Sequence, residues 1–154
     1  MLQSVPGPGI PRKHVGPLEL HTKALFVEEG LKEGTQFVHQ PAEADEGKRG
    51  PDFLFPSCDA YTDRSFPAGR LRMLAVKTTC KDRWRQILTE ADRIKTKHLL
   101  TLQEGVSESQ FREMVGAGVQ LVVPGPLKKK FPTSVQVHLQ TVESFIADIR
   151  LLGK

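Results

Sequence analysis

The stretch LRMLAVKTTCKDRWRQILTEAD, residues 71–92, constrains this chain more than any other. Residues 72–79 form a β-branched, apolar run that ends with Lys77, which reads as a buried strand delivering one amine to its own end. The spacing after it predicts a helix beginning at about Asp82. Trp84, Ile87, Leu88, Ala91 and Ile94 stand at i, i+3, i+4, i+7 and i+10, the apolar stripe of a helix laid on a sheet. A strand that feeds directly into such a helix implies an α/β layer architecture.

The chain has 154 residues, enough for one ordinary core without disulfide or metal staples. Its two cysteines, Cys58 and Cys80, make neither a disulfide framework nor a zinc set, so reduced thiols are expected. A net charge of +4 permits a nucleic-acid partner without requiring one. No apolar run approaches the roughly 20 residues of a membrane span, and the N-terminus lacks the apolar block of a signal peptide. A soluble, cytoplasmic protein with no membrane partner follows as the expectation.

Residues 1–16 carry Pro6, Pro8 and Pro11 with Gly7, Gly9 and Gly16, which predicts an irregular leader before a single domain over 17–154. Pro17 is suited to open a helix that Gly30 ends, with Glu19 in its first turn. A short β-prone segment at 35–39 precedes a charged loop at 41–50, and residues 52–55 read as a strand. Turn formers dominate 56–69, which reads as a loop carrying Tyr61 beside the strand ends. Further strands are predicted at 98–103 and 119–123. Ser107 with Gln110 has the pattern of a capping box opening a helix through Phe111 and Met114. Residues 132–140 fit either a strand or a helix, and 141–152 read as a closing helix. The sum is a central mixed sheet flanked by helices.

Three residues in this scheme carry chemistry: Asp52 on a strand, Lys77 at a strand end and Glu90 on the helix that follows. Two carboxylates converging on one point suit Mg²⁺, a hard cation that takes oxygen ligands and keeps several waters. A lysine beside them is placed to orient an attacking water and to offset charge on a phosphate. This is the minimal set for metal-dependent phosphodiester hydrolysis. The spacing alone also accommodates Glu90 as an ordinary exposed helix acid, and Lys128, Lys129 and Lys130 as either a solvated surface or a phosphate contact.

The segments PDFLFP (51–56) and MLAVKTTCKDRWRQIL (73–88), with HLLTLQEGVS (98–107), FREM (111–114), GVQLVVP (118–124) and FIA (145–147), resemble the catalytic domain of the EcoRII-type restriction endonucleases. That family belongs to the PD-(D/E)XK nuclease superfamily, and the resemblance covers about residues 18–152. It implies a restriction-endonuclease-like core. It further implies a type II enzyme that uses Mg²⁺ to hydrolyse double-stranded DNA at a CCWGG-like site, with Asp52, Lys77 and Glu90 as the catalytic set. Asp52 and Glu90 would hold the metal, and Glu19 corresponds to a further acidic position near it. The usual superfamily pattern places an acid two residues before the lysine, where this chain has Ala75. The branch it resembles moves that carboxylate to the next helix, where Glu90 lies thirteen residues after Lys77.

The same resemblance assigns base reading to Lys81, Asp82 and Arg83. Basic side chains donate to guanine O6 and N7, and a carboxylate accepts from cytosine N4, so this tripeptide suits a C·G pair in the major groove. Tyr61 corresponds to a loop tyrosine at the DNA edge, although a plain surface residue is the simpler account. A palindromic target implies a homodimer, and a restriction system implies a cognate DNA methyltransferase. Relative to the family, the chain lacks the N-terminal effector domain and the helical region before the Glu19 helix, so a shortened member is expected. Two alternatives follow: a repair or junction-resolving nuclease on the same core, and an inactive DNA-binding remnant.

Overall fold

The apolar run after Leu71 forms β3 (Arg72–Lys77) in a computed structural model that describes residues 15–41 and 50–153. β3 sits inside a six-stranded sheet whose strands lie side by side in chain order. The other strands are β1 (Val38–His39), β2 (Phe53–Phe55), β4 (Lys97–Thr101), β5 (Val119–Val123) and β6 (Gln140–Thr141). β1 to β3 pair antiparallel and β3 to β6 pair parallel, which is the mixed sheet that the sequence predicts. Most of the leader expected at 1–16 and most of the charged loop at 41–50 lie outside the described residues.

Both faces of the sheet are covered, which explains why β3, β4 and β5 read as nearly continuous apolar runs rather than alternating ones. Met73, Ala75, Leu99 and Leu121 point into one core with Trp84, Ile87, Phe111 and Met114. Leu74, Leu100 and Val122 point into the other, with Phe26, Phe53, Phe145 and Ile149. The second core is closed by α1 (Pro17–Glu28) and α5 (Val142–Leu152). Phe26 of α1 meets Phe37, Phe53 and Phe55 edge to face, with ring centroids 5.6, 5.1 and 5.7 Å apart. Each such ring buried contributes about 2 kcal/mol by area alone.

Helix starts follow their caps. Ser107 Oγ accepts from the Gln110 N–H at 3.1 Å and opens α3 (Glu108–Gly116), while Thr141 does the same for α5 through Ser144. Ser57 caps a short helix, α2 (Cys58–Thr62), within the stretch that reads as loop from its turn formers. The ambiguous stretch 132–140 resolves into one turn of helix, α4 (Thr133–Gln136), followed by β6. Among the described residues, no helix is long and apolar enough to cross a membrane.

The long amphipathic helix expected after β3 does not form. Only Trp84–Ile87 is helical, as a 3₁₀ turn, and the chain continues through i→i+3 bonds from Leu88 to Arg85, Glu90 to Ile87 and Ile94 to Ala91. Ala91 adopts a φ of 51°, which no α-helix allows. The expected apolar positions are nevertheless inside: Trp84, Ile87, Ala91 and Ile94 are buried in the first core, with Leu88 packed at its edge. What replaces the helical bonds is Lys97. Its buried ammonium donates to the carbonyls of Glu90, Ala91 and Ile94 at 2.6, 2.8 and 2.6 Å. These three carbonyls are satisfied by the ammonium rather than by a helical N–H ladder, and the segment wraps round the lysine.

Candidate active site

β2 enters the sheet antiparallel to β3, with Phe53 opposite Leu74, which brings Asp52 beside the far end of β3. Asp52 Oδ2 accepts the Val76 N–H at 2.7 Å, so the carboxylate is fastened next to Lys77. Asp52 is 7% exposed, and its own carbonyl accepts the Gln40 N–H at 2.8 Å. Strand alternation carries Asp52 to the face of Leu54, and Lys77 to the face of Met73 and Ala75; both are the face of the first core. Lys77 is half-buried and pairs in register with Thr101 of β4. Ala75, two residues before Lys77, is 1% exposed.

Glu90 belongs to the segment that packs on this same face, between buried Ile87 and Ala91. It is 7% exposed, and its position is set by the turn around Lys97 rather than by a helix. Glu19 occupies the first turn of α1, across the sheet in the second layer. Its Oε2 accepts from Gln40 Nε2 and is 2.7 Å from His39 Nε2, in a pair with both side chains under 10% exposed. Gln40 thus bridges Glu19 and Asp52, its side chain on one and its N–H on the other. It holds a φ of 51°, a conformation that non-glycine residues seldom adopt. Neither Gln40 nor Lys97 stands out in the sequence: Gln40 meets Glu19 only through the fold, and the main-chain carbonyls that Lys97 binds carry no sequence mark.

Among the described residues, no three His, Cys, Asp or Glu side chains converge closely enough to hold a metal by themselves. The oxygen donors of Asp52 and Glu90 suit a cation that fills the rest of its shell with water and substrate phosphate, the habit of Mg²⁺ rather than of zinc. Cys80 is fully buried, and burial pushes its thiol above the usual range, as befits a packing residue.

Beyond Lys77 the chain turns outward, and Lys81, Asp82 and Arg83 are exposed in sequence before Trp84 plugs back into the core. Lys130 comes to the same side: it lines an open depression together with Lys81 and Gln110. The approach depends on Gly105, whose φ is +102° and where a Cβ would stand 2.8 Å from the Lys130 carbonyl. Lys128, Lys129 and Lys130 end a 3₁₀ stretch, Gly125–Lys130, with the last two exposed. Tyr61 is placed differently from its expectation at the DNA edge. Its ring is 2% exposed in the first core, and its hydroxyl accepts the Arg93 N–H at 3.1 Å. Arg93 in turn donates to carbonyls of Ala60, Tyr61, Asp63 and Phe66, so this pair ties down the loop rather than facing outward.

The sequence profile of the family described as EcoRII C terminal matches residues 12–146. Over 133 residues the chain is 57% identical to the type II restriction enzyme EcoRII of Escherichia coli; the match covers 86% of this chain and 31% of that enzyme. The chain therefore spans about a third of the length of that relative. A structure of metal-depleted Ecl18kI in complex with uncleaved DNA superposes with a TM-score of 0.70 at 21% identity, over 87% of this chain and 43% of that one. The PspGI restriction endonuclease, solved as a complex with substrate DNA, gives 0.60 at 17% identity, over 87% and 59%. The mixed sheet with its flanking helices is thus the restriction-endonuclease core. With the profile matched along most of its length, the chain belongs to the EcoRII C-terminal family.

Proposed function

We propose that this chain is the catalytic module of a type II restriction endonuclease, which hydrolyses phosphodiester bonds of double-stranded DNA at a CCWGG-like site. The observation that carries the reading is the fastening of Asp52 onto β3 beside Lys77, within a chain 57% identical to EcoRII. Asp52 and Glu90 would hold Mg²⁺. When bound, the metal supplies Lewis-acid polarisation of the phosphate and a more acidic water. Lys77, at the rigid end of a strand, orients the attacking water and offsets the charge that builds on the phosphate oxygens. Asp52 is held to β3 by the Val76 N–H, so little reorganisation accompanies the reaction. Glu19, engaged by His39 and Gln40, supports Asp52 through Gln40 and would be the further acidic residue near the metal.

Recognition falls to Lys81, Asp82 and Arg83, whose exposed side chains are suited to the edges of a C·G pair. Lys128, Lys129 and Lys130 add a sequence-independent attraction for the phosphate backbone. A palindromic site calls for a two-fold homodimer, and a cell that carries such an enzyme needs a cognate methyltransferase to protect its own DNA. The test is digestion of a plasmid by the purified chain with Mg²⁺, followed by sequencing of the ends. Ends clustered at CCWGG are expected. Intact plasmid, or ends scattered without sequence preference, would count against the reading.

A further inference from the structure

We propose that Gln103 and Gln110 are positioning residues for base reading: two primary amides that grip the main chain of the Lys81, Asp82 and Arg83 segment and set how its side chains meet DNA. The inference rests on the reading of that tripeptide as the base-reading element. Among the described residues, none hydrogen-bonds or ion-pairs with the side chains of these three residues, so whatever orients them acts on their backbone.

The grip comes from two different elements. Gln103, just past β4, accepts the Cys80 N–H on its Oε1 at 3.1 Å. It is itself held by its N–H to Thr101 Oγ1 at 3.1 Å, and that hydroxyl donates to the Thr78 carbonyl at 3.2 Å. Gln110, on the capped first turn of α3, donates from Nε2 to the Lys81 carbonyl at 2.5 Å. One amide accepts and the other donates, on successive residues 80 and 81. Downstream, the N–H groups of Arg83 and Trp84 both reach the Cys80 carbonyl at 3.0 Å, and Trp84 is buried. The exposed tripeptide is therefore pinned at its start by two side chains and at its end by a core anchor.

Such a clamp matters more for specific than for non-specific binding. Bidentate base contacts demand a fixed backbone, whereas phosphate contacts tolerate a mobile one. A loop that is ordered only on binding loses affinity at the cognate site, because ordering costs conformational entropy.

The test is equilibrium binding of the full chain, in Ca²⁺, to a CCWGG duplex and to one with the CC/GG pairs replaced. Gln110→Glu, which sets a carboxylate against the Lys81 carbonyl, and Gln103→Met, which removes the acceptor, should each lower the preference for the first duplex roughly tenfold, equivalent to about 1.4 kcal/mol. Gln103→Glu keeps the acceptor and should keep the preference. Unchanged preference in both clamp variants, with loss in Arg83→Ala, would overturn the clamp and leave the reading of the tripeptide standing. Equal weakening on both duplexes would also overturn it, as plain structural damage. No effect of Arg83→Ala, or no preference in the parent chain, would instead overturn the reading itself.

Discussion

The ammonium of Lys97 donates to the carbonyl of Glu90 at 2.6 Å, from inside the core and across the loop that replaces the expected helix. A lysine buried to 6% exposure is tolerated because Glu90, Ala91 and Ile94 supply carbonyl acceptors for it. The position of an acid in the proposed catalytic set is thus governed by a residue that sequence reading passes over.

Lys97→Met keeps the length of the side chain and removes the donors, leaving three carbonyls in or near the core without this partner. A loss of about 2–4 kcal/mol of stability is expected in denaturant titration. Where folded protein remains, cleavage should fall as well, because Glu90 loses its tether. Normal stability would show that water readily replaces the ammonium.

His98 predicts the pH dependence of stability. Burial, reinforced by the Arg72 guanidinium and opposed by Asp148, pushes its imidazole down to about 4. The unfolded chain, titrating near 6.5, therefore binds more protons than the folded one between those values, and stability rises with pH across that window. The contribution is full above pH 6.5 and is lost on acidification toward pH 4, on the order of 3 kcal/mol in all. Chemical denaturation of parent and His98→Leu from pH 4 to 7 checks this. The variant should show the shallower slope.

Much of the frame was legible from residue pattern. β5, the Ser107 cap, and the inward residues Trp84, Ile87, Ala91 and Ile94 all stand where the residue pattern puts them, while Thr141, read as the first residue of the closing helix, caps it instead. The conformation of 84–94 was not, because a 3.6-residue stripe is also satisfied by successive turns wrapped on a buried cation. Helical propensity yields there to three side-chain bonds from the nearby Lys97. The surroundings of Glu19 were equally hidden, since His39 and Gln40 reach it only after β1 has joined the sheet. Tyr61 was misplaced for a similar reason: turn formers around it suggest a surface loop, whereas Ser57 caps a short helix that turns the ring inward.

Base reading and backbone attraction should separate in binding measurements. Arg83→Ala should cost about 1–3 kcal/mol on a duplex with the CC/GG half-sites and much less on unrelated DNA. Neutralising Lys128, Lys129 and Lys130 should weaken both duplexes alike and flatten the dependence on salt. The opposite assignment, with the lysines discriminating and Arg83 uniform, would relocate recognition to the 3₁₀ stretch.

The central claim, that Asp52, Lys77 and Glu90 act together on a DNA phosphate with Mg²⁺, is tested most directly by single-turnover cleavage of a CCWGG duplex. Asp52→Asn retains an acceptor for the Val76 N–H, Glu90→Gln retains the side-chain shape, and Lys77→Met removes the amine while keeping an apolar stem. Each should slow cleavage at least about a hundredfold while thermal unfolding changes little, and Ca²⁺ should support binding by the parent without cutting. Undiminished cleavage by Glu90→Gln would contradict the relocated carboxylate, and undiminished cleavage by all three variants would contradict the active site as a whole.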